Sequence, residues 1–277
     1  MTSPALTRPA APAAQASRTR RPHRLLGLAR AELTLLLRNR MQLFIALVMP
    51  LAIPLMYIPL KNAGIGGPAL AGALGSMYVV ALLFVVYYNQ LSTYVARRES
   101  LVLKRLRTGE ASDATVLTAT AVPAVVIALV MLTLMTALAV PLLDLPVPSH
   151  PLLLLAAVAL GAAVFVPLAL ATANITRTVE SAQVTCLPFI AIAIVGAGSA
   201  LPLDLMPEWF RRIIDVIPTA PLVSLVRLGW LGTDAAGAAL SASDVWRDAG
   251  PQAGILVIWF VLGCWFVSRR LRWEPRA

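Results

Sequence analysis

The stretch Pro151-LLLLAAVALGAAVFVPLALAT-Ala173 runs without a single charged side chain. A bilayer core is about 30 Å thick and takes roughly 20 apolar residues to cross as a helix, at about 1.5 Å per residue. This segment is therefore read as a membrane span, and it decides the class of everything around it. Five further stretches meet the same requirement. They are 41–60 (MQLFIALVMPLAIPLMYIPL), closed by Lys61; about 69–91, after the turn-rich NAGIGGP of 62–68; 116–142; 182–201; and 252–268. The expected fold is an all-α integral membrane protein of six spans. Composition agrees. Of the 277 residues, 59% are hydrophobic and 13% charged, against about 45–50% and about 25% in a soluble domain. That excludes a disordered chain and argues against a water-soluble enzyme.

The net charge of +10 invites a nucleic-acid reading, but the distribution of charge points elsewhere. With the N-terminus inside, the cytoplasmic pieces hold eight Arg before Met41, five basic residues between Leu91 and Val116, Arg177, and four Arg after Ser268. The external pieces keep Lys61, Arg211, Arg212, Arg227 and Arg247, offset by seven acids. The balance is +12 inside and −2 outside, which places both termini in the cytoplasm by the positive-inside rule. The +10 is thus no nucleic-acid footprint. Residues 41–60 are an anchor and not a signal peptide, whose apolar core is roughly 7–15 residues long. The expected organisation is a flexible basic tail over 1–22, near anionic lipid, one membrane domain over 23–270, and a cytoplasmic tail over 271–277.

Three segments are neither span nor simple loop. Residues 23–40 read as an amphipathic helix leading into the membrane. Leu26, Ala29, Leu33, Leu36 and Leu37 form one face and Arg30, Thr34 and Arg38 the other, as in a helix lying in the interface. Between the second and third spans, Leu101, Leu103 and Leu106 alternate with Arg97, Arg98, Glu99, Lys104, Arg105 and Arg107. This is either a short basic helix that docks in a partner's groove or a solvated positive-inside loop. Residues 202–250 are too long for a plain external connector. In PEWFRRIIDVI (207–217), Trp209, Ile213 and Ile217 repeat at helical spacing, and Pro218 and Pro221 break the pattern before LVSLVRLGWL (222–231). A helical hairpin dipping into the outer leaflet is expected there, followed by a small-residue loop over 232–243.

The sequence offers little chemistry. Its only lysines, Lys61 and Lys104, follow leucines, so it lacks the Gly-Lys-Ser/Thr phosphate cradle of a P-loop ATPase. His23 and His150 have no ligand-spaced neighbours, and Cys186 and Cys264 sit in apolar runs as inert thiols. No cofactor or metal is expected. Ser199 in GAGSA (196–200) has no partnering base. The spans are nearly free of ionisable groups, which disfavours a proton-coupled pathway. Neutral Asn89, Gln90, Asn174 and Gln183 cluster toward the inner face. They are candidates for a polar pathway, with interhelical hydrogen bonding as the alternative.

Three elements in order carry a family resemblance. These are the basic amphipathic helix leading into a Met-Pro-bearing first span (RMQLFIALVMP, 40–50), the RESLVLKRLR helix (98–107) after the second span, and PLDLMPEW (202–209) before IPTAPL (217–222). Together they resemble the membrane subunit of ABC type-2 exporters, over about residues 24–270. The resemblance implies a permease that hydrolyses no ATP itself, works as a homodimer or heterodimer, and is driven by a separate nucleotide-binding ATPase. The family's coupling helix, seated in a cleft of that ATPase, would fall on Arg97, Arg98, Glu99, Leu103, Lys104, Leu106 and Arg107. The interfacial helix would carry Arg30, Leu33, Leu36, Leu37 and Arg38, and the external re-entrant element Pro202, Pro207, Trp209, Ile213, Ile217 and Pro218. Leu101-Val102 stand where the family usually has a small Gly-Thr pair, and Thr108-Gly109 where it has Thr-Pro. Apolar span surfaces suit an amphiphilic substrate such as a drug or lipid. A non-transporting six-span scaffold or assembly factor is the competing expectation.

Overall fold

The structure, a computed structural model, describes residues 51–64, 67–101, 113–198, 206–234 and 237–271, together with Thr34 and Val48. Of 67–72, 113–116 and 119 it describes the backbone alone. The described residues are helical throughout, with one isolated antiparallel bridge between Thr233 and Ala239 and no strand. After a 3-10 turn at Pro54–Tyr57 come α1 (Ile58–Asn62), α2 (Gly67–Leu82), a π-helical turn (Leu83–Tyr88) and α3 (Asn89–Glu99). Next are α4 (Asp113–Leu142), α5 (Pro151–Ala173), α6 (Val179–Thr185) and α7 (Leu187–Gly196). The chain ends with α8 (Glu208–Val216), α9 (Thr219–Leu231) and α10 (Ala242–Arg270).

Five of these helices or helix runs are long and apolar enough to cross a membrane: Ala73–Glu99, Thr120–Leu142, Pro151–Ala173, Val179–Gly196 and Ala242–Arg270. Each matches an expected span, with three adjustments. The second span continues to Glu99, eight residues past its expected end at 91, because the helix carries its polar last turns on into the basic end. The fifth is broken at Cys186, where Pro188 follows at the start of α7 and removes a backbone donor. The sixth begins ten residues before the expected 252. Ser241 caps it by accepting from the Asp244 N–H, so Asp244, Arg247 and Asp248 lie on the helix and not in a loop. Of the expected first span, 41–50 lies outside the described residues except for Val48, while 51–62 is helical around the turn at Pro54.

The hairpin expected over 207–231 is present as α8 and α9, bent by 81° at Ile217–Pro218. Its second limb lies inside the protein. α9 packs against α2, α5 and α10, and its Leu222, Val226 and Trp230 are completely buried. Close approach makes this possible. A Cβ on Gly229 would lie 3.0 Å from the Leu154 backbone N, and one on Gly161 would press on Leu222, the small-residue packing of membrane helices. The Trp230 indole donates to Pro146 O at 2.8 Å. His150 N and Ser149 N donate to the Gly229 and Trp230 carbonyls, so the start of α5 is stitched to the end of α9. Gly232, at φ 61°, ends α9 in the left-handed conformation.

The π-turn has a visible consequence. It places Tyr87 inward, where its hydroxyl pairs with that of Thr172 at 2.9 Å and its ring stacks on Phe189 at 4.2 Å. One extra residue in a helix thereby ties α5 and α7 to the centre.

Candidate functional site

The candidate site is built where three helices end on the side bearing Arg97, Arg98, Arg177, Arg269 and Arg270. An α-helix leaves its last carbonyls without intrahelical donors, and α5 ends this way at Ala173. Arg98, in the last turn of α3, is fully buried against that end. Its Nη1 donates to Ala173 O at 2.8 Å, and its Nη2 to Thr176 O at 2.5 Å. A planar guanidinium is suited to this, since its fork meets two oxygens at once and its charge complements the negative end of the helix dipole. The next residue works in the same direction. The Glu99 carboxylate accepts from Val179 N at 3.2 Å, at the first turn of α6, where backbone donors are left over. Adjacent residues of opposite charge thus hold the end of α5 and the start of α6.

The connection between those helices is itself ordered by short-range chemistry. Thr178 and Ser181 form a reciprocal capping box at the start of α6. The hydroxyl of Thr176, completely buried, meets Thr185 at 2.8 Å. The Asn174 amide donates to Arg270 O at 3.0 Å, joining the end of α10 to the same cluster. α3 stops here too, with Leu101 in the left-handed region at φ 58°. The result is a knot of four helix ends: α3, α5, α6 and α10.

The sequence-predicted residues distribute unevenly over this geometry. Arg97, Arg98 and Glu99 fall in the last turn of α3, with Arg98 turned into the protein, Arg97 half-buried and Glu99 exposed. Leu103, Lys104, Leu106 and Arg107 lie outside the described residues, as do Arg30, Leu33, Leu36, Leu37, Arg38, Pro202 and Ser199. Among the pathway candidates, Gln90 is buried and donates to Thr120 O at 2.8 Å, linking α3 to α4. Asn89 accepts from the Thr93 hydroxyl one turn on. Gln183 is exposed on α6. Thr176 and the α5–α6 connection were not singled out from sequence, although TRTVES (176–181) carries the Thr-x-x-Ser cap that could have marked them.

At the opposite end, Pro207 and Pro218 precede α8 and α9 as their caps. Ile214 of α8 is buried, whereas Trp209 and Ile213 are 64% and 57% exposed. Ile217 is the hinge residue, and the Trp259 indole of α10 donates to Val216 O at 2.7 Å beside it. α8 therefore presents a large apolar face away from the protein. Among the described residues no cluster of His, Cys, Asp or Glu side chains is placed to hold a metal ion.

The family model described as ABC-2 type transporter matches residues 24–230, which includes all of this geometry except α10. No curated protein matches the chain.

Proposed function

The chain belongs to the ABC-2 type transporter family, and from that premise we propose that it is the permease of an exporter whose ATP hydrolysis resides in a separate subunit. It is a membrane transport component, and its family normally works with an ABC-type ATPase. In this reading the chain spans the membrane six times with both termini cytoplasmic, so the knot of helix ends faces the cytoplasm. Two copies, or one copy and a paralogue, enclose the pathway. The segment that follows α3 is the coupling helix, with Arg97, Glu99, Leu103, Lys104, Leu106 and Arg107 meeting the ATPase and Arg98 setting their position. The 23–40 helix lies in the inner interface, and α8, with Trp209 and Ile213, lies in the outer one. Amphiphilic compounds of drug or lipid type suit the apolar walls.

The observation that carries this reading is the clamp at the end of α3. A permease with no phosphate cradle and almost no intramembrane charge needs an external motor. A push on the loop after α3 is useful only if the loop is joined rigidly to the spans. Arg98 and Glu99 make that joint, through Ala173, Thr176 and Val179, and Asn174 extends it to α10. The joint supports coupling because it links helix ends far apart in sequence without passing through lipid.

The test is co-purification of the chain with candidate ATPases, followed by reconstitution in vesicles. We expect ATPase activity to rise with members of a drug and lipid panel. Glu99→Ala combined with Leu103→Ala is expected to release the ATPase and abolish that rise. Association and transport that survive the double substitution would remove the coupling assignment. A chain that binds no ATPase would remove the transporter reading in favour of a membrane scaffold.

A further inference from the structure

A groove of about 700 Å³ runs along the outside of α5, walled by α4 on one side and α10 on the other. It extends over residues 117–126 of α4 and 260–268 of α10. At about 1.5 Å per residue that is about 12–14 Å of helix, close to half of a bilayer core about 30 Å thick. The groove therefore occupies one leaflet only. Its floor on α5 is apolar, formed by Ala163, Val166, Pro167 and Leu170, and its sparse hydroxyls, Thr118 and Ser268, sit at one end. That end is the basic one. Exposed Arg269 and Arg270 follow Ser268 directly in the last turn of α10.

We infer that this groove binds one acyl chain of an anionic bilayer lipid from the leaflet at the basic end, with the headgroup phosphate held at Arg269 and Arg270. Three observations select this occupant. The depth matches one leaflet, whereas a helix of a second copy would cross both. The lining is apolar down to the hydroxyl-bearing mouth, the profile of a lipid chain below its glycerol. Exposed Arg269 and Arg270 follow the mouth residue Ser268 in the same helical turn, and a guanidinium can take a phosphate through two parallel hydrogen bonds. Lipid held here would bridge α4 and α10, which otherwise meet only across this gap. The inference is independent of the transport reading, because binding requires no ATPase and no substrate.

The experiment uses the full chain in phosphatidylcholine vesicles containing a trace of phosphatidylglycerol with a photoactivatable group on its acyl chain. Adducts are mapped by peptide mass spectrometry and normalised to adducts on the exposed surface of α7. We expect enrichment on 117–126 and 260–268, exceeding that of the matching phosphatidylcholine probe by roughly thirtyfold, the scale of two arginines each favouring an anionic headgroup. Ala163→Trp is expected to abolish the groove adducts. Arg269→Gln with Arg270→Gln, on an exposed surface, is expected to leave adducts but equalise the two probes. Equal labelling by both probes in the unsubstituted chain overturns the proposal. So does a groove without adducts, and disulfide-linked dimers through Cys264, which lines it, would then identify a second copy as the occupant.

Discussion

Without the Arg98 guanidinium, the carbonyls of Ala173 and Thr176 lose the donors that now serve them, in a spot that water does not reach. A buried polar group left unsatisfied costs about 1–3 kcal/mol, so Arg98→Met is expected to lower stability by about 2–4 kcal/mol in detergent. Tryptophan fluorescence during thermal unfolding measures this. Arg98→Lys should recover only part of the loss, because an ammonium cannot present a planar fork to two oxygens. A melting temperature unchanged by Arg98→Met would show that the clamp contributes nothing to the fold. Glu99→Ala alone should change stability by less than about 1 kcal/mol, because its bond to Val179 N lies at an exposed position. Residue type could not separate these neighbours in the sequence. Both belong to a charged run, and alternation within the run assigns them equally to a surface. Only the continuation of α3 to Glu99 rotates one inward and leaves the other outside.

At the scale of elements, α9 holds the molecule together by approaching its neighbours closely. Any side chain on Gly229 meets the backbone of Leu154, which cannot move aside. Gly229→Val is accordingly expected to cost about 1–3 kcal/mol and to loosen the α5–α9 stitching, which hydrogen exchange at His150 and Ser149 would report. The control is Gly254→Ala on α10, where nothing lies within 4 Å; it should cost nothing, and the better helix propensity of alanine should add up to about 1 kcal/mol of stability. Equal losses from both substitutions would mean that close contact with Leu154 does not set the effect. The long apolar spans were legible because a period of apolar residues over some 20 positions has no other physical meaning. The hairpin was legible, but Arg227 interrupts the apolar run of α9 and hid how deeply its Leu222, Val226 and Trp230 are buried. The helix that carries the last expected span starts ten residues earlier for a similar reason, since Asp244, Arg247 and Asp248 stop a hydropathy run without stopping a helix. The amphipathic α8 was legible in outline, yet periodicity alone could not say that Ile214 would be the residue it buries.

For the whole molecule, charge and burial set two separate constraints. In the apolar 18-residue stretch of Ala73–Glu99, 78% is buried, against 17% in that of Ala242–Arg270 and 22% in that of Thr120–Leu142. The chain therefore has an inner helix and a wide apolar circumference that requires lipid or a second copy around it. The proposed orientation within that lipid rests on the basic residues, which gather at the ends of α3 and α10, and on the acids, which gather around α8 and the start of α10. By the positive-inside rule this distribution supports the proposed orientation, with the basic ends of α3 and α10 on the inner side. With Cys186 and Cys264 replaced by alanine, a single cysteine at Ser243, just inside the start of α10, should react with a membrane-impermeant maleimide on intact cells. A cysteine at Ser3, in the arginine-rich N-terminal stretch, should react only after the cells are permeabilised. Reversal of both results would invert the molecule and place the Arg98 clamp outside, where no ATPase could reach it. Replacing the eight arginines before Met41 with glutamine should blur the pattern, with both cysteines partly labelled in intact cells, because those arginines supply the largest single share of the bias. A pattern that stays sharp would assign orientation to the basic residues after α3 instead, and with it the retention of the coupling loop on the inner side.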